Sequence, residues 1–122
     1  MSDSTPMTVE GMKQFLEAFN SHDADAIAAC CTDDVTFVTI RENKAITGKG
    51  KVRDYFASMF EDIRDVHFGE DSHWMVGDRG CSEWVFTGTN IASGDRLEVH
   101  GCDLFTFRDG KISRKDSYMK QT

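Results

Sequence analysis

The chain has no surplus of basic charge: 14 Lys and Arg stand against 21 Asp and Glu, for a net charge of −7. That balance argues against a nucleic-acid binder, which needs a basic stripe to displace counterions from phosphates. No window approaches the ~20 consecutive apolar residues of a membrane-spanning helix. The opening MSDSTPM has neither a basic segment nor an apolar one, so no secretory signal is expected and residues 1–7 read as a frayed tail. The four cysteines, Cys30, Cys31, Cys81 and Cys102, form no C-x-x-C pair, so zinc-ligand spacing is absent. Buried, reduced thiols in a cytoplasmic protein are the expectation, with no disulfide between Cys81 and Cys102. Gly48-Lys49-Gly50-Lys51 lacks the phosphate-loop pattern G-x-x-x-x-G-K-[ST] and reads as a loop entering a helix. No internal repeat, linker or low-complexity run interrupts the chain.

What is present suits one compact α+β domain over residues 8–122. Of the 122 residues, 39% are apolar and 11% aromatic, enough for a core. Met12, Phe15, Leu16 and Phe19 fall at i, i+3, i+4 and i+7, which predicts a helix starting near Thr8. Asp23 is a good N-cap for a short helix from Ala24 to Cys31. Val35 to Ile40 reads as a strand, and a third helix starts at Lys51 with Val52, Phe56, Met59, Phe60 and Ile63 on its apolar face. Only strands follow: Val66–Val76, Arg79–Ile91, Arg96–Phe107 and Lys111–Lys120. Gly77-Asp78, Ser93-Gly94 and Asp109-Gly110 punctuate them at hairpin spacing. Helices first and a long meander after predict helices covering one face of a strongly bent antiparallel sheet. A sheet bent that far cannot be filled along its whole face, so an internal pocket is expected.

Asp103 is the sharpest polar feature, because it interrupts an apolar strand between Val99 and Phe105. A lone buried carboxylate is costly, so it must be paired, protonated or solvated in a cavity. Its partner depends on the last turn. A two-residue Asp109-Gly110 loop sets Asp103 opposite Asp116 and Phe105 opposite Arg114. A three-residue turn with Gly110 as a left-handed bulge sets Asp103 opposite Lys115 and Val99 opposite Met119. Opposite charges favour the second by ~0.2–1 kcal/mol. Either a plain ion pair or an acid/base pair lining a pocket would then result.

The four histidines offer no metal centre. His67 and His73 share strand parity but six extended residues separate them by about 20 Å. His22 is expected in a solvated helix-helix turn, and His100 on the face opposite Asp103. Trp84 reads first as a core or interface residue and second as a ligand-stacking one.

FLEAFNSHDADAIAACCTDDVTF, GKGKVRDYFASMF, WVFTGT and GCDLFTFRDGKI, in that order and spacing, resemble the nuclear-transport-factor-2-like superfamily and its SnoaL-like group. The resemblance implies a cone-shaped α+β barrel, three N-terminal helices on a bent sheet enclosing a pocket, and often dimerisation through the sheet's outer face. Family members include ketosteroid isomerases, polyketide cyclases, dehydratases, epoxide hydrolases and non-catalytic adaptors, so the fold does not choose among them. By resemblance, the isomerases' catalytic base position falls on Thr39 and their oxyanion-hole tyrosine on Phe15. Their protonated oxyanion-hole aspartate, a known feature of ketosteroid isomerase, matches Asp103. The cyclases' aspartate on the last strand falls on Ser117, with Lys115 two residues earlier and Asp116 facing out.

The resulting expectation is a pocket for a small apolar or amphipathic ligand, lined by Phe15, Phe19, Phe37, Thr39, Phe56, Met59, Phe105, Ser117 and Met119. Asp103 and Lys115 are the candidate catalytic pair, and no cofactor or metal is expected. A homodimer is expected, because Leu104, Tyr118 and Trp84 would otherwise face water from the outer sheet. Two functions fit: a proton-transfer enzyme (isomerase, cyclase or dehydratase) on a small carbonyl compound, or a binding protein that has lost the base.

Overall fold

A computed structural model describes residues 9–39 and 44–120. Its elements run α1 (Glu10–Asn20), α2 (Ala24–Ala29), β1 (Cys31–Val38), β2 (Ala45–Thr47), α3 (Lys49–Asp62), β3 (Ile63–Val76), β4 (Arg79–Asn90), β5 (Arg96–Arg108) and β6 (Lys111–Met119). The expected tail and Ile40 lie outside the described residues.

The helices form where apolar spacing demands burial. Met12, Phe15, Leu16 and Phe19 of α1 are all buried against the sheet. Asp23 caps α2, its carboxylate accepting from the Ala26 N–H at 3.0 Å. Gly48, at φ +104°, makes the sharp entry into α3 that a side chain would strain. Two side chains bind the first helix to the sheet: Asn20 both donates to Phe68 O and accepts from Phe68 N. His22, although exposed, is not merely solvated. Its Nε2 lies 2.8 Å from Val66 O and its ring stacks on Phe60 at 5.2 Å.

The α+β cone of three helices on a bent sheet is what forms, with strand order β2-β1-β6-β5-β4-β3. The sheet stays open, and it contains one parallel pair, β1 with β6. β1 begins earlier than its β-branched run suggests, and the short β2 forms just ahead of Gly48 with no strand signal in the sequence. Ile63, assigned to the third helix face, is instead the first residue of β3 and is still buried. Trp84 is buried on the inner face; the outer face presents Tyr118, joined by Trp74 and Val76.

The last hairpin follows neither expected register. Asp109 and Gly110 both have positive φ, at 54° and 80°, as a two-residue type I′ loop requires, and Arg108 pairs with Lys111. A type I turn with one left-handed glycine is therefore not used. Three residues on, Ser113 is extra: Phe107 pairs with Ile112 but Thr106 with Arg114. Beyond this bulge Asp103 faces Ser117, Phe105 faces Lys115 and Gly101 faces Met119. Ser113 secures the bulge by donating to Thr106 O at 3.1 Å.

The core centres on Phe15, which is fully buried with its ring edge-on to Phe37, Phe56 and Phe105 at 5.8–6.1 Å. Replacing Phe15 by alanine is expected to lower unfolding free energy by about 3–5 kcal/mol. Urea denaturation followed by circular dichroism measures it, and a loss under 1 kcal/mol would mean the cluster repacks freely.

Candidate functional site

Between α1, α3 and the concave face of the sheet lies a cavity of about 260 Å³. The helices contribute Phe19, Tyr55, Phe56 and Met59 to its wall, and the sheet adds Phe68, Trp84 and Phe86. Thr39 and Asn90 supply polar edges, and Lys115, Ser117 and Met119 come from β6. A surface groove of about 370 Å³ between α1, α2 and the last turn is larger, but no buried side-chain charge faces it.

Of the expected lining, Phe19, Phe37, Thr39, Phe56, Met59, Ser117 and Met119 face the cavity. Phe15 and Phe105 do not. Both are fully buried in the layer behind the wall, where they back Phe37 and Lys115. Asp103, also fully buried, likewise stands behind the wall.

The Ser113 bulge is what turns β6 toward the cavity. Ile112 points inward, and on a regular strand Arg114 and Asp116 would follow it. With one residue inserted, Lys115 is buried and Ser117 faces the cavity. Arg114 and Asp116 instead pair with each other on the outer side, through contacts of 2.9 and 3.1 Å.

Asp103, Ser117 and Lys115 form one hydrogen-bonded unit. Ser117 Oγ lies 2.6 Å from Asp103 Oδ1, and Lys115 Nζ lies 2.7 Å from Ser117 Oγ and 3.4 Å from the same Oδ1. An ammonium only donates, so Ser117 accepts from Lys115 and passes its own O–H to Asp103. The charged pair is 8% and 1% exposed at its side chains. Lys115 Nζ also sits 4.8 Å from the Phe37 ring centroid and 5.5 Å from that of Phe15. An ammonium has three N–H donors, and the two protein acceptors leave one for the cavity.

Two neighbours shape the floor. Gly101 has no Cβ, and one there would run into the Trp84 ring and the Tyr118 carbonyl. Its absence lets the indole lie across β5. Trp84 Nε1 is a buried donor without a hydrogen-bond partner, a signal that no strand pattern in the sequence exposes.

Among the described residues no group of three or more His, Cys, Asp or Glu is placed to hold a metal. His67 and His73 do not share a face, because a register shift between Gly69 and Ser72 breaks the parity of β3 between them. Burial pushes the Cys31 thiol up to about 12, with Cys30 adding to the effect, and burial pushes Cys81 up to about 11. Neither is an activated nucleophile.

Residues 12–115 match the family described as a SnoaL-like domain. The chain belongs to that family. The sequence has no match among curated proteins. Solved structures share the fold at low identity. A candidate polyketide cyclase from Pseudomonas putida KT2440 superposes with a TM-score of 0.85 at 20% identity, covering 92% of this chain and 90% of that one. A protein of ketosteroid isomerase-like fold from Catenulispora acidiphila DSM 44928, solved in complex with trimethylamine, has a TM-score of 0.85 at 21% identity. It covers 91% and 85% of the two chains. A candidate isomerase from Bacillus subtilis has a TM-score of 0.79 at 20% identity over 91% and 84%. Among the described residues of this SnoaL-like chain, the cavity wall contains no carboxylate and no imidazole, and its titratable groups are Tyr55 and Lys115.

Breaking the buried pair from one side should be costly and breaking it from both sides less so. Asp103→Asn or Lys115→Met alone is expected to cost about 3–5 kcal/mol, and the double variant clearly less than the sum. Additive losses in a chemical-denaturation cycle would show that the two charges do not interact.

Proposed function

We propose that the cavity receives a small, largely apolar carbonyl compound whose oxygen accepts a hydrogen bond from Lys115. One observation carries this reading: among the described residues a single ammonium, anchored from behind by Ser117 and Asp103, faces a cavity lined mainly by aromatic and aliphatic side chains. A donor held this way is pre-oriented toward a carbonyl oxygen and gains strength from exclusion of water.

Membership of the SnoaL-like family supports proton transfer as the reaction, of isomerase, cyclase or dehydratase type. Lys115 would stabilise negative charge growing on the oxygen. The route to Asp103 runs through Ser117, which takes a substrate proton as it passes its own to Oδ1. The second reading, a non-catalytic binding protein, is favoured by Thr39 in the wall at the position of the isomerases' base, with no carboxylate or imidazole among the described wall residues.

A titration with a panel of cyclic ketones separates these readings. In a Trp74→Phe background, Trp84 reports binding from the cavity wall by its fluorescence. Binding in the micromolar to millimolar range is expected, at least ~10-fold weaker in Lys115→Met, a change equal to ~1.4 kcal/mol. Deuterium exchange at the ketone's α-carbon that depends on Lys115 marks the enzyme; binding without exchange marks the carrier. No binding by any ketone would sink both.

The protein works as a homodimer packed through the outer face of the sheet, where Trp74, Val76 and Tyr118 are half-exposed or more. Sedimentation velocity is expected to give twice 13.7 kDa at micromolar concentration, and a monomer contradicts it. Free thiols suit a reducing cytoplasm, and among the described residues no helix is long and apolar enough to cross a membrane.

A further inference from the structure

Two polar side chains on the inner face of the sheet remain unused by the pocket. Ser82 is the direct partner of Asp103 across β4 and β5, and His73 is the partner of Ser82 across β3 and β4. With Ser117 opposite Asp103, four adjacent strands each place one polar residue in a single row. His73 Nδ1 lies 2.7 Å from Ser82 Oγ, and its Nε2 lies 2.7 Å from Asp71 Oδ2. The His73 side chain is 5% exposed and Ser82 is fully buried, so Ser82 cannot serve as a nucleophile toward any solute. Next along the row, Asp103 Oδ2 has no hydrogen-bond partner. It is the one buried side-chain acceptor so placed among the described residues.

Hydrogen-bond logic links these facts. A carboxylate only accepts, so His73 Nε2 donates to Asp71. This bond, with the charge of Lys13 assisting, holds the Asp71 carboxyl below its ordinary range, so it stays an acceptor while the ring titrates. A neutral ring then has a bare Nδ1 and takes the Ser82 O–H. A protonated ring donates from both nitrogens, Ser82 becomes the acceptor, and its hydroxyl proton needs a new partner. Directly opposite paired residues have Cβ atoms ~4.5–5.5 Å apart, within reach of a hydroxyl whose hydrogen turns about the Cβ–Oγ bond while its oxygen stays on His73.

We propose that His73 and Ser82 are positioning residues of the Asp103–Ser117–Lys115 site: the protonated ring turns the Ser82 hydroxyl onto Asp103 Oδ2, and the neutral ring takes it back. With Oδ2 satisfied, Asp103 holds Lys115 less exclusively, and the ammonium offers more of its charge to the cavity. The charged groups around His73 and its row are Asp71 on its own strand, Lys13 and Glu17 of α1 beside Asp71, Asp103 within the row, and Lys115 in the next inward row. The inference extends the site on which the proposed function rests, but its test requires no ligand.

The experiment follows the Asp103 carboxyl carbon and the His73 ring together by NMR as pH is varied. In the unaltered protein the Asp103 signal is expected to step as the His73 ring titrates. In Ser82→Ala the ring still titrates and the Asp103 step disappears; Ser82→Thr, which keeps the hydroxyl, restores it. His73→Gln, which cannot gain a proton, also abolishes the step and serves if Ser82→Ala is too unstable to measure. A flat Asp103 signal in the unaltered protein overturns the proposal. So does a step that persists in Ser82→Ala, because it would mean that charge acts through space without the hydroxyl. A pocket that binds no ketone would end the functional reading and leave this result standing.

Discussion

One extra residue in β6 decides what this cavity contains. The Ser113 bulge reverses the strand's facing, so Lys115 and Ser117 turn in while Arg114 and Asp116 turn out. Without it the inward-facing residues would be Arg114 and Asp116, which instead pair with each other on the outer side. Three consequences follow from the bulge. Asp103 gains two donors on one oxygen, Lys115 rests between the Phe37 and Phe105 partners of its neighbouring strands, and Met119 reaches the cavity mouth. The ladder of β1 against β6 shifts at the same level, between Cys31 and Thr36, so both neighbours of β6 accommodate the change.

The buried charge is expensive in isolation, and the fold compensates for it locally. Asp103 lies in an apolar layer where an unpaired carboxylate would cost several kcal/mol. Ser117 supplies a short bond, Lys115 supplies the opposite charge, and the faces of Phe37 and Phe15 receive the cation. A buried pair of this kind is weak evidence for stability, since apolar residues of equal volume often do as well. Its presence beside a cavity therefore points to function more than to folding. The orphaned Asp103 Oδ2 and the partnerless Trp84 Nε1 are consistent with that view, because both are polar atoms that the core leaves unfinished.

Much of the fold was legible in the sequence because it rests on local signals. The i, i+3, i+4 spacing from Met12 to Phe19, the Asp23 cap and the glycine-bearing turns each determine structure within a few residues. Family motifs then supplied the cone. The site was legible only in part. Lys115 was placed beside Asp103 through the wrong register. A bulge at Gly110 and one at Ser113 give the residues beyond them the same facing, so the contact survives while Asp103's direct partner becomes Ser117. Ser113 carries no turn signature, and the bulge depends on packing against β1 and β5. His73 was misplaced for a related reason: a register shift in β3 between Gly69 and Ser72 cancels the parity used to place the histidines, and its partner Ser82 on β4 went unread with it. Phe15 and Phe105 were assigned to the cavity because facing alone cannot separate the wall from the layer behind it.

Lys115 is the charged contact of a largely apolar cavity. A crystal structure of the protein soaked with a tight-binding cyclic ketone tests this most directly. The expected result is density in the cavity with the carbonyl oxygen within ~3.2 Å of Lys115 Nζ and the ring against Phe56 and Trp84. A ketone bound in the cavity with its oxygen turned away from Lys115, or seated only in a surface groove, would contradict the account.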